Sequence, residues 1–346
     1  MFNPRRSRAV AVTLLSLAAA LAVLNATLGA ALGPPPRWFP RDEDTYDWLF
    51  LERAASLFVA ARREAGPEGR PVGVVIGLST TPHAINAARL AEEGPPGYRW
   101  MLANGFGGTA HKLAEFARLL ATSGLRPGAV LIAINPIMLA DRPAPGPAEA
   151  GDGGGARPSL LRAVRERLWV VESRFHAKHL LRRSALFFKM GLLGRLGSDP
   201  GAAVAPANSA WETIELNLEG RLSPAEAARD RKIFADAGFY SPESYAADSG
   251  RSRELVEAVR AARSTGARVL VVLLPEMNQM RRDAPESAHR LPGEILAAAF
   301  GAQAPPILDL RDTVPDEDFM NFLHTNRQGN DLFTSILGRR LRDALR

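Results

Sequence analysis

A short apolar run at 72–76, rich in β-branched residues, constrains the fold of this chain more than any other stretch. Residues of this kind in succession suit a strand that is buried on both faces. Gly77-Leu78-Ser79 follows at once, and Pro82 suits the first turn of a helix. Ser79 is therefore expected where a parallel strand ends and a helix begins, at the sheet edge where open α/β proteins bind ligands. The alternative is that Ser79 only caps the helix.

The same alternation of strand and helix recurs along the chain. Further strands are predicted at 98–103, 129–134, 267–274 and 306–310. Helices are predicted at 82–92, 109–122, 254–264, 293–300 and 328–345. Such alternation predicts an α/β fold with a parallel sheet. We expect a flavodoxin-like three-layer α/β/α arrangement whose five strands take the order 2-1-3-4-5.

The N-terminal stretch predicts a membrane anchor. Residues 9–32 carry no charge, and a stretch of about 24 residues is long enough to cross a bilayer as a helix. The arginines at 5–8 favour a cytoplasmic N-terminus. We expect an uncleaved transmembrane helix; a cleaved signal peptide is the alternative, because small residues at 26–31 suit a cleavage site. Both interpretations place the rest of the chain outside the cytoplasm, in the periplasm or at the cell surface.

The rest of the chain is predicted to be one α/β domain with a helical insertion. The insertion is rich in arginine, and its helices are interpreted as a lid over the site or, alternatively, as helices on an anionic membrane surface. The predicted parts are the anchor at 1–33, a linker with an amphipathic helix at 34–70, the first part of the domain at 71–141, the insertion at 142–248 and the second part at 249–346.

Composition excludes several classes of function. The chain has no cysteine, which rules out disulfides, thiol catalysis and cysteine-based zinc sites. The net charge of +6 comes from basic residues that form no nucleic-acid-binding motif, so no nucleic-acid partner is expected. His83 and His111 lack the spacing to a carboxylate that a metal site of this kind needs, so neither a metal nor a cofactor is predicted.

Four positions that carry chemistry are predicted to meet at one edge of the sheet. Ser79 follows the first strand, Gly108 the second and Asn135 the third, and His324 lies beyond the fifth. A serine nucleophile needs a base that takes its proton, and donors that face the oxyanion. We therefore predict Ser79 as nucleophile, His324 as base, and Gly108 and Asn135 as oxyanion donors. The alternatives are a loop or capping histidine, a tight glycine turn and a turn asparagine.

These segments resemble the sequence blocks of the SGNH (GDSL-type) hydrolase superfamily. Gly77-Leu78-Ser79 stands where that family has Gly-Asp-Ser, and Asn104-Gly-Phe-Gly-Gly-Thr109 resembles the second block. Val130-Leu-Ile-Ala-Ile-Asn135 resembles the third block. The segment at 321–329, Asn-Phe-Leu-His-Thr-Asn-Arg-Gln-Gly, resembles the fifth block, Asp-x-x-His followed by Asn and Gly. The resemblance covers about 70–135 and 250–346, and the last block is its most specific part.

One departure from the family pattern bears on catalysis. Asn321 stands at the position of the aspartate that orients the histidine. A neutral amide can hold an imidazole but cannot stabilise an imidazolium as a carboxylate does. Asp318, or else Asp316, is therefore considered as the acid that takes this role.

The resemblance implies a function and a set of partners. Extracytoplasmic anchored members of this kind modify envelope polymers, as in alginate O-acetylation and D-alanyl transfer to teichoic acid. The implied activity is a serine O-acyltransferase or esterase that acts on an envelope or exported polysaccharide through an acyl-serine intermediate. The implied partners are an acylated small-molecule or protein donor, the polysaccharide acceptor and a membrane-bound O-acyltransferase. The alternative is a catalytically weak binding or scaffold module of an acylation complex.

Overall fold

The computed structural model describes residues 51–62 apart from 52 and 56, then 70–105, 110–141 and 218–346. All described residues belong to one compact unit. The predicted anchor, most of the predicted insertion and Gly108 lie outside these ranges. Within them, no helix has the length and apolar character that crossing a membrane requires.

The described residues build a five-stranded sheet in which every pairing is parallel. Its order is β2-β1-β3-β4-β5, which confirms the predicted order. Every residue of β1 and β3 is buried, as a strand covered on both faces requires. The strands are β1 Val72–Gly77, β2 Arg99–Asn104, β3 Ala129–Ile134, β4 Arg268–Leu273 and β5 Ile307–Asp309.

Helices connect the strands and follow them. The helix at 51–62, which we call α1, precedes the sheet. The others are α2 Thr80–Ala84, α3 Ala87–Glu93, α4 Ala110–Ser123, α5 Pro224–Asp236, α6 Gly250–Ser264, α7 Asn278–Asp283, α8 Glu286–Phe300 and α9 Arg327–Ala344.

The helices divide between the two faces of the sheet. The connection from β1 to β2 runs in one direction along the sheet, and the connections from β2 to β3 and from β3 to β4 run in the other. Because such crossovers are right-handed, α2 and α3 lie on one face, and α4 and α6 lie on the opposite face. The C-terminal helix α9 packs on α2 and α3, and α4 packs on α6. The segment that precedes α9 therefore reaches the face on which α2 begins.

Two predicted helices have different bounds in the structure. The helix predicted at 82–92 is two short helices, because Ile85 and Asn86 are extended and the Asn86 side chain caps α3 by accepting from Arg89 N. The helix predicted at 293–300 begins instead at Glu286 and includes Pro292. A proline lacks the N–H that continues the helix ladder, and here the packing of the helix prevails over that local cost.

The last part of the predicted insertion borders the loop before α9. Ser223 and Glu226 form a capping box at the start of α5. Ahead of it, Leu222 N donates to Phe319 O at 3.0 Å, and Arg327 N donates to Leu218 O at 3.0 Å. This backbone pairing ties 218–222 to the loop that carries His324.

Candidate active site

The turn between β1 and α2 places Ser79 at the carboxyl end of the central strand. Leu78 N donates to Thr81 Oγ1 at 3.1 Å, and Thr81 N donates to Leu78 O at 3.0 Å. A Cβ at position 77 would overlap the Thr81 side chain, so Gly77 is required for the turn. Ser79 precedes α2, yet its side chain makes no capping hydrogen bond. The half-buried hydroxyl is thus not used as a helix cap.

The loop at 316–326 brings His324 to the same edge. Phe319 and Thr325 form an isolated antiparallel bridge, and Met320 N donates to His324 O at 2.9 Å. Thr325 Oγ1 donates to the backbone carbonyl of His83, which ties the loop to α2. The histidine is therefore held from two directions.

Ser79, His324 and Asn321 form a hydrogen-bonded chain. His324 Nε2 lies 3.3 Å from Ser79 Oγ, across 245 residues of sequence. His324 Nδ1 lies 3.0 Å from Asn321 Oδ1. The same amide oxygen accepts from the backbone N–H groups of Leu323 and His324, which fixes its orientation. Because this oxygen only accepts, Nδ1 carries the hydrogen and Nε2 presents its lone pair to the serine.

Burial keeps the imidazole of His324 neutral. The pKa of His324 is lowered to about 4, first by burial and second by the nearby His83. The ring of His83 lies with its centroid 4.3 Å from that of His324 and is tilted by 44°. Burial lowers the pKa of His83 too, against the opposing effect of the backbone at Thr325. Both rings are therefore neutral at pH 7, and the base needs no prior loss of a proton.

Neither predicted alternative acid is the group that orients His324. Burial and the neighbouring Glu317 raise the pKa of the Asp318 carboxyl, and its backbone oxygen accepts from Asn326 N at 2.8 Å. The Asp316 carboxylate accepts from Asn278 N at 2.7 Å. The group next to His324 Nδ1 is the side-chain amide of Asn321, three residues earlier in the sequence. The tight loop between the two residues brings this amide into contact with the imidazole ring.

Asn135 lies at the end of β3, next to the strand that delivers Ser79. Ile76 pairs with Ile132, and each polar residue comes three positions after its member of this pair. The Asn135 oxygen accepts from Ile137 N at 3.2 Å, which is the predicted alternative role in a turn. Its Nδ2 is buried and makes no hydrogen bond to any of the described residues. The turn thus fixes one end of the amide and leaves the other as a donor.

Sequence reasoning missed two residues near this edge. His83 was considered only as a metal ligand together with His111, and the structure instead packs it on His324, while His111 pairs with Glu115 and Glu254. Asn104 ends β2 with a buried Nδ2 that has no hydrogen-bond partner in the described part of the chain. Its position at the end of a predicted strand is the sequence signal that could have identified it as a site residue.

Glu276 follows β4, where the sequence favours a solvated loop residue over one that faces the site, yet the structure buries it. Its carboxyl group is fully buried, and burial raises its pKa to about 7. Tyr240, Tyr245 and Ile137 lie beside it around a small cavity. Among the described residues, no group of three or more histidines and carboxylates could hold a metal ion.

No protein-family model matches this chain, and no curated protein matches it. The site is therefore defined by its own geometry. A serine hydroxyl, a neutral imidazole and an orienting amide lie in line at the carboxyl edge of a parallel sheet, with an unpaired amide donor on the neighbouring strand. This arrangement has the parts that nucleophilic attack on a carbonyl requires.

Proposed function

We propose that this domain is a serine acyl-transfer enzyme, an esterase or O-acyltransferase of the SGNH type. The observation that supports it is the hydrogen-bonded chain from Ser79 Oγ through His324 to Asn321 Oδ1. The five-stranded order and the positions of Ser79, Asn135 and His324 after their strands agree with the family that the sequence resembles.

The reaction follows from the tautomer of the histidine. Nε2 of His324 takes the proton of Ser79 as Oγ attacks the acyl carbon. The carbonyl oxygen becomes an oxyanion and accepts a hydrogen bond from Asn135 Nδ2. The intermediate collapses, the leaving group takes the proton from His324, and the acyl group stays on Ser79. An acceptor alcohol or water then gives its proton to His324 and attacks the ester, and Ser79 Oγ takes that proton from His324 as its bond to the acyl carbon breaks.

Asn321 orients the imidazole of His324 for catalysis but does not stabilise the positive charge that the ring acquires. Its oxygen fixes the productive tautomer, so the geometry of a triad is kept. It supplies no negative charge to the imidazolium that forms during the reaction. We infer a slow enzyme. Its transition state is stabilised by hydrogen bonds to the oxyanion more than by a negative charge beside the imidazolium.

The substrate and setting are extensions that the sequence supports. We propose that the domain is anchored by the uncharged N-terminal stretch and acts outside the cytoplasm on an envelope or exported polysaccharide. The acyl group would come from an acylated small molecule or protein, and a membrane-bound O-acyltransferase would deliver it across the bilayer. The helical insertion, interpreted as a lid, would exclude water, which transfer to an alcohol requires.

A binding or scaffold module is the second candidate. The observation that favours it is the amide at position 321, which leaves the histidine without an anionic partner. In that case the edge would hold an acyl or sugar group without turnover.

Labelling of the purified full-length chain with a fluorophosphonate separates the two. We expect the parent to form a covalent adduct on Ser79 and Ser79→Ala to form none. Ser264→Ala is the matched control, because the Ser264 hydroxyl is exposed and bonds only to the backbone of its own helix. A folded parent that stays unlabelled would overturn the enzyme and favour the binding module.

A further inference from the structure

The Asn104 side chain presents a buried hydrogen-bond donor without a use in the fold. The residue is 7% exposed, and its Nδ2 has no hydrogen-bond partner among the residues that the structure describes. Buried polar groups in folded proteins are almost always paired, because an unpaired buried donor costs free energy. A donor of this kind at a sheet edge that binds ligands points to a ligand acceptor.

Asn104 lies beside the strand that delivers the nucleophile. It pairs with Gly77 in the sheet, and Gly105 N donates to Gly77 O at 3.4 Å. Registered neighbours in a parallel sheet direct their side chains to the same face. The direction of a side chain at position 77 is occupied by Thr81 of α2. Asn104 therefore projects to the face of α2, from which His324 also approaches.

Asn135 provides the same unpaired donor on the other side of β1. It is 1% exposed, and its Nδ2 is also without a hydrogen-bond partner. Thr80 Oγ1, one residue after the nucleophile, is a further buried and unpaired polar atom. Thr80, Asn104 and Asn135 thus place unpaired polar atoms at or just after the carboxyl ends of β1, β2 and β3, where Ser79 also lies.

We propose that Asn104 Nδ2 is a second side-chain donor to the acyl carbonyl oxygen, acting with Asn135 from the opposite side of the nucleophile. The inference rests on the proposed acyl-transfer function and deepens it. Two amide donors suit an oxygen that turns from a neutral carbonyl into an oxyanion, because their hydrogen bonds strengthen as charge develops. This contribution falls on kcat, since the ground-state carbonyl gains less from it.

Substitution of Asn104 tests the assignment in the full-length chain. We measure hydrolysis of p-nitrophenyl acetate and the rate of labelling by a fluorophosphonate, with folding checked by circular dichroism. In Asn104→Ala we expect kcat to fall about 10²-fold with little change in KM, the size seen for loss of one oxyanion donor. Asn278→Ala is the matched control, because Asn278 is exposed on α7 and far along the sequence from the β2 edge.

The pH dependence of activity in Asn104→Asp distinguishes a hydrogen-bond donor from a residue that only supports the fold. An ionised aspartate has the shape of asparagine but cannot donate, and a protonated one can. We expect this variant to be less active than Asn104→Ala at pH 8 and to gain activity as the pH falls toward 5. The parent should show no such gain over that interval.

The outcomes separate this inference from the function on which it rests. A parent that reacts while both Asn104 variants react at the parental rate overturns the role of Asn104 and leaves acyl transfer standing. A parent that is folded and inert overturns both. If Asn104→Ala does not fold, the pH profile of Asn104→Asp decides, and a profile parallel to that of the parent counts against the donor.

Discussion

His83 and His324 lie with their ring centroids 4.3 Å apart, and the rings are tilted by 44°. The His83 carbonyl accepts from Thr325 Oγ1 and from Asn330 Nδ2, so hydrogen bonds to the His324 loop and to α9 fix the contact. Two imidazoles this close cannot both carry a proton at low cost, because like charges repel in a buried site. Burial first, and the neighbouring His83 second, lower the pKa of His324, so the base is neutral over the physiological range of pH.

The pH dependence of the reaction follows from that arrangement. The pKa of His324 is lowered to about 4, so the neutral form that accepts the serine proton persists well below the usual histidine range. We expect kcat/KM to stay level from pH 8 to pH 5 and to fall only as His324 becomes protonated. The pH profile of fluorophosphonate labelling measures this, and an acid limb near pH 6.5 would contradict it.

Stability should depend on pH through the same histidine. Its pKa is lower in the folded chain, so the unfolded chain binds more protons between about pH 4 and its ordinary pKa of 6.5. The contribution of His324 to the free energy of unfolding is fully present above pH 6.5 and is lost as the pH falls toward 4. Its upper bound is on the order of 3 kcal/mol. Thermal unfolding of the parent should show this slope, and His324→Gln should show less of it. Equal slopes in both would rule the histidine out as the source.

Asn321→Asp should improve the base. A carboxylate in place of the amide keeps the hydrogen bonds from Leu323 N and His324 N and adds a charge that favours the imidazolium. We expect the pKa of His324 to rise, the acid limb of activity to move up with it, and kcat at pH 8 to increase by about 10-fold or more. Kinetics and NMR titration of the imidazole measure these effects.

Asp318→Asn is the control for that substitution. The Asp318 carboxyl is not the group against Nδ1, so its removal should leave kcat within about twofold of the parent, as for most surface changes. A loss comparable to that expected for a missing triad acid would restore Asp318 as the orienting residue.

Gly77→Ala should disturb the nucleophile turn. The added Cβ would overlap the Thr81 side chain that holds Leu78 N. We expect a loss of about 1–3 kcal/mol in the free energy of unfolding, together with slower labelling of Ser79. Gly293→Ala is the matched control, because a Cβ there meets open space within α8. That variant should gain up to about 1 kcal/mol from reduced chain entropy. Equal unfolding midpoints in urea for both variants would contradict the steric account.

Glu276→Gln should stabilise the fold at alkaline pH. Burial raises the pKa of Glu276 to about 7, above its unfolded value. The protonated form is therefore favoured in the folded chain, and stability is lost as the pH rises through 7. The neutral glutamine avoids that loss, so its melting temperature should exceed that of the parent at pH 8 and approach it near pH 5. A constant difference between the two at all pH values would assign the effect to packing instead.

The sheet could be predicted because the strands are distinct apolar runs, and the first four end at or close to a glycine, an asparagine or a proline. β3 was predicted with its observed bounds at Ala129–Ile134, and the order of the strands follows from their connections. The positions of Ser79, Asn135 and His324 could be predicted because each follows an identifiable element, and their catalytic roles stay predictions. The anchor and Gly108 stay predictions, since they lie outside the described residues.

The orientation of the histidine could not be predicted from sequence. The choice among Asn321, Asp318 and Asp316 depends on how the 316–326 loop folds back, and spacing alone does not determine it. The rings of His83 and His324 are in contact, although the two residues lie 241 positions apart in the sequence. The nearby hydrogen bond from Thr325 Oγ1 to the His83 carbonyl spans 242 positions. Such pairs come from tertiary packing, which local patterns do not report.

The bonds between 218–222 and the 319–327 loop have a consequence for shortening this chain. Leu222 N and Leu218 O each pair with that loop, so the reach of the imidazole toward the hydroxyl depends on backbone far upstream of it. A deletion that ends before Leu218 leaves these pairings in place. A deletion that extends past Leu222 removes these hydrogen bonds and releases the loop. A minimal version of the domain must therefore retain residues 218–222, even when the rest of the insertion is deleted.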